Sequence, residues 1–243
     1  MIYIIGLGPG EHSQITPKAI EALKCCDVVA GYTVYIDLIR ELVNDMELIQ
    51  TPMLQEVERC KKAALAASEG KTVAMVSSGD AGIYGMASLM LEVLEELGVE
   101  TELEVIAGIT AASSAAAVLG APLTHDFAVI SLSNLLTPWE KIEKRLNLAS
   151  QAGFILVIYN PTSKKRHDFL SKACEIVMNN LGPEIRCGYV KNIGREGQTH
   201  KLLTLKELKD EQVDMFTTII IGNETTRIIG DKLVTPRGYR IDE

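Results

Sequence analysis

Short apolar runs alternate with longer amphipathic stretches along the first half of the chain. The run at residues 73–76 (Val-Ala-Met-Val) has the length of a buried strand. A glycine-rich segment at residues 77–85 (SSGDAGIYG) ends it, and apolar residues then recur at helical spacing over residues 86–97. The pattern predicts further strands at residues 2–5, 27–30, 46–51 and 103–106. Helical stretches separate these strands, and this alternation predicts an α/β fold with a mostly parallel sheet covered by helices on both faces.

The pattern changes after Gly120-Ala121-Pro122, where a second set of strands begins. It predicts strands at residues 127–132, 154–159, 187–190 and 216–221, with a helix over residues 164–180. A chain of 243 residues is long enough for two domains. We therefore predict two α/β domains, an N-terminal one at residues 1–118 and a C-terminal one at residues 119–243.

The glycine-rich segment at residues 77–85 is the strongest candidate for a ligand-binding loop. It follows a strand, and α/β sheets bind ligands beyond the carboxyl ends of their strands. Gly79, Gly82 and Gly85 allow sharp turns and a close approach of the backbone to a flat ligand. Asp80 adds one carboxylate, which suits a cationic or hydroxyl-bearing ligand. The alternative is an ordinary strand-to-helix turn in which Asp80 is the N-cap of the helix.

Composition and net charge exclude several functional classes for this chain. A net charge of −8 argues against general nucleic-acid binding, which needs a basic face. No apolar run has the length of a membrane span, and the N-terminus has no basic segment of a signal peptide. The five cysteines have no metal-site spacing, so we expect reduced thiols, a cytoplasmic protein and no metal.

Two nucleotide-binding motifs can be tested against the chain, and both fail. The loop GLGPG at residues 6–10 has Glu11 where a dinucleotide fingerprint needs its third glycine. The triplet Gly70-Lys71-Thr72 precedes a strand, whereas a P-loop follows one.

Six segments together resemble one family. They are GLGPG, SSGDAGIYG, AGITAASSAAA, YNPTSKKR, IGNETT and the C-terminal VTPRGYRI. In this order and spacing they resemble the tetrapyrrole methyltransferases of cobalamin and sirohaem synthesis, over nearly the whole chain. The segment GYTVYIDLI at residues 31–39 is most similar to the branch that methylates C17 of a precorrin.

The resemblance implies two α/β domains with S-adenosylmethionine in the cleft between them, and usually a homodimer. It implies methyl transfer to C17 of a tetrapyrrole, with contraction of the macrocycle. Transfer to another carbon, such as C11 or C20, is an alternative within the family. A non-catalytic ligand-binding protein on the same scaffold is an alternative from another class.

The resemblance also implies a set of cofactor contacts in the loops that follow the strands. By matching positions these are Pro9, Gly79, Asp80, Ile83, Tyr84, Thr110, Ala111 and Asn160, and Gly8 is the matching tetrapyrrole contact. Some positions depart from the family pattern. Gly31-Tyr32 stands where sirohaem-branch members often have tyrosine-aspartate, so a carboxylate contact is not expected there.

A sulfonium methyl group is already activated, so the enzyme mainly has to align it with an electron-rich carbon. No nucleophilic triad is needed. Ring contraction moves protons, and His125 and His12 are the candidate acid–base groups because histidine titrates near neutrality. The alternative for either is a loop histidine with a local hydrogen bond.

An acidic protein needs a locally basic site to hold a substrate with several acetate and propionate groups. The cluster Lys164-Lys165-Arg166 follows a predicted strand end, and we expect Lys164 and Arg166 to bind substrate carboxylates. Arg237 and Arg240 are further candidates. A solvated basic face is the alternative.

Overall fold

The structure is a computed structural model that describes residues 1–163 and 166–240. It divides into two compact units, Met1–Ala111 and Ala112–Glu243. Each unit contains a β-sheet with helices packed against it, so the predicted α/β fold class is confirmed. The predicted domains at residues 1–118 and 119–243 stay a prediction.

The first unit contains a five-stranded parallel sheet in the order β3-β2-β4-β1-β5. Its strands are β1 (Ile2–Gly6), β2 (Val28–Tyr32), β3 (Glu47–Thr51), β4 (Val73–Ser77) and β5 (Leu103–Ile106). Its helices are α1 (Pro17–Lys24), α2 (Thr33–Leu38), α3 (Glu56–Ser68) and α4 (Ala87–Leu97), and α5 (Ala111–Leu119) begins where the unit ends. All five strands lie where the sequence predicts them.

Both faces of the three central strands β1, β2 and β4 are buried, which explains their continuous apolar runs. On β4, Val73 and Met75 pack in the cluster that contains residues of α3 and α4. Ala74 and Val76 pack in the cluster that contains residues of α1 and α2. Successive side chains of a strand point to opposite faces, so a strand covered on both sides needs apolar residues at every position.

The start of α1 is the one predicted from sequence. The Oγ1 atom of Thr16 accepts a hydrogen bond from the Ala19 N–H at 3.2 Å, and Pro17 occupies the first helical position. Proline lacks an N–H that the first turn could not satisfy, so it stabilises a helix start.

The second unit contains a mixed five-stranded sheet in the order β10-β9-β11-β8-β7. Its strands are β6 (Gly120–Ala121), β7 (Phe127–Ser131), β8 (Ile155–Tyr159), β9 (Arg186–Lys191), β10 (Thr199–Thr204), β11 (Thr217–Ile221), β12 (Arg227–Ile229) and β13 (Lys232–Val234). Its helices are α6 (Trp139–Gln151), α7 (Phe169–Leu181) and α8 (Leu205–Leu208). Only β7 and β8 pair in parallel within the five-stranded sheet, and β12, β13 and β6 form a small separate sheet.

The predicted start of α7 is wrong. The helix begins at Phe169, after Asp168, and the N–H of Arg166 donates to the Ser163 carbonyl at 2.9 Å in a turn. Arg166 therefore precedes the helix and does not lie in its first turn. Lys164 lies outside the described residues.

Helix α6 was not predicted, although it packs as a core helix. Ile142 and Leu146 are buried on the cluster that also contains residues of β8 and α7, whereas Leu148 is 52% exposed on the opposite face. The single tryptophan, Trp139, is the first residue of α6 and packs against Phe169 at 4.4 Å between ring centroids.

Replacing Leu146 by alanine should lower the free energy of unfolding by about 2–5 kcal/mol, because it leaves a cavity beneath α6. Leu148→Ala on the same helix is the matched control and should change it by less than about 0.5–1 kcal/mol. Urea unfolding followed by the fluorescence of Trp139 measures both. Equal losses in the two variants would contradict the packing of α6.

Candidate functional site

The loops that follow β1 and β4 are joined at the carboxyl edge of the first sheet. The N–H of Gly8 donates to the Gly79 carbonyl at 3.0 Å, and the N–H of Gly79 donates to the Gly8 carbonyl at 2.7 Å. Gly8 has φ +74° and Gly79 has φ +71°, a left-handed conformation that favours glycine. This pairing places Pro9, which follows Gly8, beside the glycine-rich loop.

The loop after β5 approaches the same point so closely that side chains do not fit. A Cβ atom on Gly108 would lie 2.2 Å from the Gly79 carbonyl oxygen and 2.5 Å from that of Gly6. A Cβ atom on Gly6 would lie 2.7 Å from the Gly108 nitrogen. The three loops therefore pack backbone against backbone.

Asp80 ties two of these loops together. Its Oδ1 atom accepts hydrogen bonds from the N–H groups of Gly82 at 2.8 Å and Ile83 at 3.1 Å, within its own loop. Its Oδ2 atom accepts one from the N–H of Gly108 at 3.0 Å, in the loop after β5. A carboxylate has about four acceptor positions, so about one remains for a ligand.

Asp80 is not the N-cap of the following helix, so that alternative is wrong. Helix α4 begins at Ala87, and Met86 is its N-cap residue. Residues 81–85 separate Asp80 from that position, and its carboxylate bonds to backbone groups before the helix.

Gly79 faces the start of α5 across a small gap. A Cβ atom built on Gly79 would lie 3.8 Å from the Ala111 nitrogen and 3.9 Å from the Thr110 Cα atom, at ordinary contact distance. The structure thus brings together Gly79, Thr110 and Ala111, three of the predicted cofactor contacts. Ile83 is 42% exposed, and Tyr84 is 59% exposed and has φ +53°.

Ser77 belongs to this edge, although it was not among the residues predicted from sequence. It is the last residue of β4, and its side chain is buried, with 5% exposure. Within the described part of the chain, its Oγ atom is the one buried side-chain polar atom without a hydrogen-bond partner. An unsatisfied buried hydroxyl costs about 1–3 kcal/mol.

Asn160 lies in the second unit, directly after β8, with φ +52°. Its Nδ2 atom donates to the Oγ atom of Ser131 at 2.9 Å, and Ser131 is the last residue of the parallel neighbour β7.

Tyr159, the residue before Asn160, was not among the site residues predicted from sequence. Its hydroxyl accepts a hydrogen bond from the Ala112 N–H at 2.7 Å, in the first turn of α5. Only the fold brings these two segments together, so no local pattern could show the contact.

The two candidate histidines each have a local hydrogen bond. The Nε2 atom of His12 lies 2.6 Å from the Leu38 carbonyl oxygen and therefore donates to it. The Nδ1 atom of His125 accepts from the Asp126 N–H at 3.0 Å. His125 precedes β7, whereas Ser131 is the last residue of β7 and Asn160 follows the last residue of its parallel neighbour β8, at the opposite end of these strands. A catalytic role for either histidine stays a prediction.

Arg166 is partly buried, and its Nη1 atom donates to the Leu132 carbonyl at 3.0 Å. Burial lowers the pKa of this guanidinium from its usual value, but it remains a cation at neutral pH. The bond connects the segment before α7 to the residue after β7. No carboxylate pairs with Arg166 among the residues that the structure describes.

The four buried cysteines are unsuited to act as nucleophiles. All five are free, and only Cys25 is exposed. Burial raises the pKa of Cys60 to about 11 and that of Cys174 to about 12, so neither forms a thiolate at neutral pH.

Residues 1–163 and 166–240 contain neither a metal site nor a membrane-spanning helix. No group of three histidine, cysteine or carboxylate side chains in these ranges is arranged to hold a metal ion. No helix in these ranges combines the length and apolar character that crossing a membrane requires.

Comparison with known proteins identifies the family. Residues 1–209 match the model of the tetrapyrrole (corrin/porphyrin) methylases. The chain therefore belongs to this family, as the resemblance in its loops indicated.

Sequence identity to individual relatives indicates which branch of this family the chain is most similar to. The chain is 43% identical over 241 residues to a probable cobalt-factor III C(17)-methyltransferase of Salmonella typhimurium, covering 99% of this chain and 100% of that protein. It is 37% identical over 246 residues to a precorrin-3B C(17)-methyltransferase of a Sinorhizobium species, covering 98% and 96%. The crystal structure of the methyltransferase CobJ superposes with a TM-score of 0.89 at 36% identity, covering 97% of this chain and 99% of that one.

Replacing Asp80 by alanine should remove the hydrogen bonds that hold the loops after β4 and β5 together. We expect a loss of about 2–4 kcal/mol in stability, because three backbone N–H groups lose a charged acceptor. Amide hydrogen exchange should accelerate at Gly82, Ile83 and Gly108.

The matched control is Asp27→Ala at the other edge of the same sheet. The Oδ2 atom of Asp27 accepts from the Thr72 N–H at 2.8 Å, so this variant should lose only about 1 kcal/mol. Exchange at Gly108 should remain slow in this control. Unchanged exchange at Gly108 in the Asp80 variant would show that Asp80 does not join the loops.

Proposed function

We propose that this chain transfers a methyl group from S-adenosylmethionine to C17 of a cobalt-factor III or precorrin-3B type tetrapyrrole, with ring contraction, in cobalamin biosynthesis. The observation that carries the proposal is the 43% identity, over the full length of both chains, to the protein named for this reaction in Salmonella typhimurium. The relative from Sinorhizobium is named for the same ring position. Both names favour C17 over the alternatives C11 and C20.

The joined loops of the first unit fit the methyl donor. Gly79 lies next to Thr110 and Ala111, and the space that a Cβ atom on Gly79 would fill is left open for a ligand group. Asp80 has about one acceptor position left for an ammonium or hydroxyl group. The unsatisfied hydroxyl of Ser77 lies at the end of the strand that carries this loop. Pro9, Ile83, Tyr84 and Asn160 remain proposed cofactor contacts.

S-adenosylmethionine supplies an activated methyl group, so the protein's main task is to hold the two reactants in line. The backbone packing of the three loops suits this task, because a rigid loop loses little freedom when a ligand binds. Proton movement during ring contraction needs a titratable group. His12, whose Nε2 atom already donates to a carbonyl, would accept a proton at Nδ1.

Substrate binding is proposed to use positive side chains next to the strand ends. Arg166 is a cation with a carbonyl but no carboxylate as its partner among the described residues, so it retains donors for a substrate carboxylate. Gly8 and Lys164 complete the proposed substrate contacts, and Lys164 is outside the described residues. The cofactor cleft between domains, the homodimer and the cytoplasmic location stay predictions.

Regiochemistry tests the proposed function directly. The purified protein is incubated with cobalt-factor III and with precorrin-3B, using S-adenosylmethionine labelled with ¹³C in its methyl group. We expect one labelled methyl group at C17 of a ring-contracted product, located by carbon NMR and mass spectrometry. A label at C11 or C20 would establish the alternative reaction, and binding of the methyl donor without transfer would establish a non-catalytic protein.

Arg166→Gln should raise KM for the tetrapyrrole, and the effect should shrink at high salt because a partly exposed charge is screened. The affinity for S-adenosylhomocysteine should stay nearly unchanged. The matched control is Arg227→Gln, which removes an exposed arginine from β12. If both variants shift KM equally, the effect comes from net charge and Arg166 is not a substrate contact.

A further inference from the structure

Arg59 is a buried cation in the first unit of the protein. It lies in the second turn of α3, and only 3% of it is exposed. No carboxylate within the described ranges lies close enough to form an ion pair with its guanidinium. Glu56, one turn earlier, directs its Oε1 atom to the Leu54 N–H at 3.2 Å.

The three nitrogens of this guanidinium are not equally satisfied. Nε donates to the Oγ1 atom of Thr51 at 2.9 Å, which is a good hydrogen bond. Nη2 reaches the Pro52 carbonyl at 3.3 Å, and Nη1 reaches the Met86 sulfur at 3.8 Å. A thioether is a weak acceptor. Thr51 therefore orients the group, and the two terminal nitrogens have poor partners.

A buried guanidinium with such weak hydrogen-bond partners destabilises the folded protein. Removing a cation from water costs several kcal/mol unless a counter-charge or strong acceptors replace the water. Burial accordingly lowers the pKa of Arg59, and the carboxylate of Glu56 is the largest influence that opposes this shift. An apolar side chain of similar volume would pack here at lower cost, so the charge needs another explanation.

The position of Arg59 supplies that explanation. Thr51 is the last residue of β3, and its strand partner Tyr32 is the last residue of β2. Met86 directly follows the glycine-rich loop at residues 77–85. The guanidinium thus lies at the carboxyl edge of the sheet, beside the loop that carries Asp80, where such sheets bind ligands.

Two partly buried tyrosines belong to the neighbouring strand end, where Tyr32 is the register partner of Thr51. Tyr32 and Tyr35 form an edge-to-face pair with 5.2 Å between ring centroids. Aromatic faces of this kind pack well against flat conjugated rings. The same edge of the sheet therefore carries two aromatic rings and a cation.

The segment that joins β3 to α3 is short and exposed, and its Pro52 carbonyl contacts Nη2. It consists of Pro52, Met53, Leu54 and Gln55, and we call these residues the β3 cover. Met53 is 40% exposed, Leu54 is 71% exposed, and Leu54 has φ +69°, a strained conformation for a leucine. The long bond to the Pro52 carbonyl and the bond from Leu54 to Glu56 hold the cover to α3.

We propose that Nη1 and Nη2 of Arg59 bind a carboxylate of the tetrapyrrole substrate when the β3 cover moves aside. This inference rests on the proposed function, which supplies a ligand with acetate and propionate groups. The carboxylate replaces a thioether and a distant carbonyl with two charge-assisted hydrogen bonds, in the side-by-side geometry that guanidinium and carboxylate share. Thr51 keeps the terminal nitrogens aimed at that carboxylate.

The test compares Arg59→Met with wild type in stability, in KM for cobalt-factor III and in affinity for S-adenosylhomocysteine. We expect an unchanged or higher Tm, because the variant removes a buried charge that no carboxylate of the described residues neutralises. We expect KM to rise about tenfold or more, with kcat little changed, because a charged hydrogen bond made in substrate binding is lost. Arg59→Lys keeps the charge without the fork and should lie between the two.

Lys62→Met on the same helix is the matched control, because it removes an exposed cation that pairs with Glu58 at 3.2 Å. It should leave KM unchanged. A lower Tm with an unchanged KM in Arg59→Met would show a purely structural clamp and contradict the inference. A loss of affinity for S-adenosylhomocysteine alone would assign the carboxylate to the methyl donor and would also contradict it.

The same experiment separates this inference from the proposed function. If wild type transfers no methyl group to cobalt-factor III, the proposed function fails and this inference fails with it. If wild type is active and Arg59→Met has the wild-type KM, only the inference fails.

Discussion

The candidate site depends on the close backbone approach of three loops at one edge of the first sheet. Gly6 and Gly108 have no room for a Cβ atom there, and Gly8 and Gly79 pair through their main chains. The carboxylate of Asp80 also joins two of these loops, because it accepts hydrogen bonds from N–H groups in both. A site built from main-chain atoms changes shape little when it binds, which suits a reaction whose rate depends on alignment.

The second requirement is electrostatic. The protein carries a net charge of −8, yet the proposed substrate is a polyanion. The guanidinium groups of Arg59 and Arg166 both bond to neutral acceptors and have no carboxylate partner in the described part of the chain. Positive charge is thus left available near strand ends, whereas a surface lysine such as Lys71 is already neutralised by a carboxylate, that of Glu47. Local charge, and not net charge, decides which anion such a protein binds.

The first unit could be predicted from sequence because its three central strands are buried on both faces. Residues 73–76 and 2–5 read as continuous apolar runs, and glycine-rich segments mark their ends. The second unit was harder. Most of its strand pairs are antiparallel. Helix α6 was not among the predicted elements, although Ile142 and Leu146 recur at helical spacing.

Only those residues of the candidate site that lie in loops directly after strands could be predicted from sequence. Gly79, Thr110 and Ala111 were selected through the family resemblance, and the structure brings them together. The bond from Asp80 to Gly108 and the burial of Arg59 depend on the packing of segments distant in sequence. A helix such as α3 gives no local sign that one of its arginines is buried, because arginine on a helix usually extends to solvent.

The most direct test of the central claim is an NMR titration of ¹⁵N-labelled protein with S-adenosylhomocysteine. We expect the backbone amide signals of Gly79, Gly108 and Ala111 to shift together with one dissociation constant, while the amide signal of Thr72, at the opposite edge of the sheet, does not shift. Saturable binding that shifts Thr72 but leaves Gly79, Gly108 and Ala111 unmoved would contradict the assignment of this edge as the methyl-donor site.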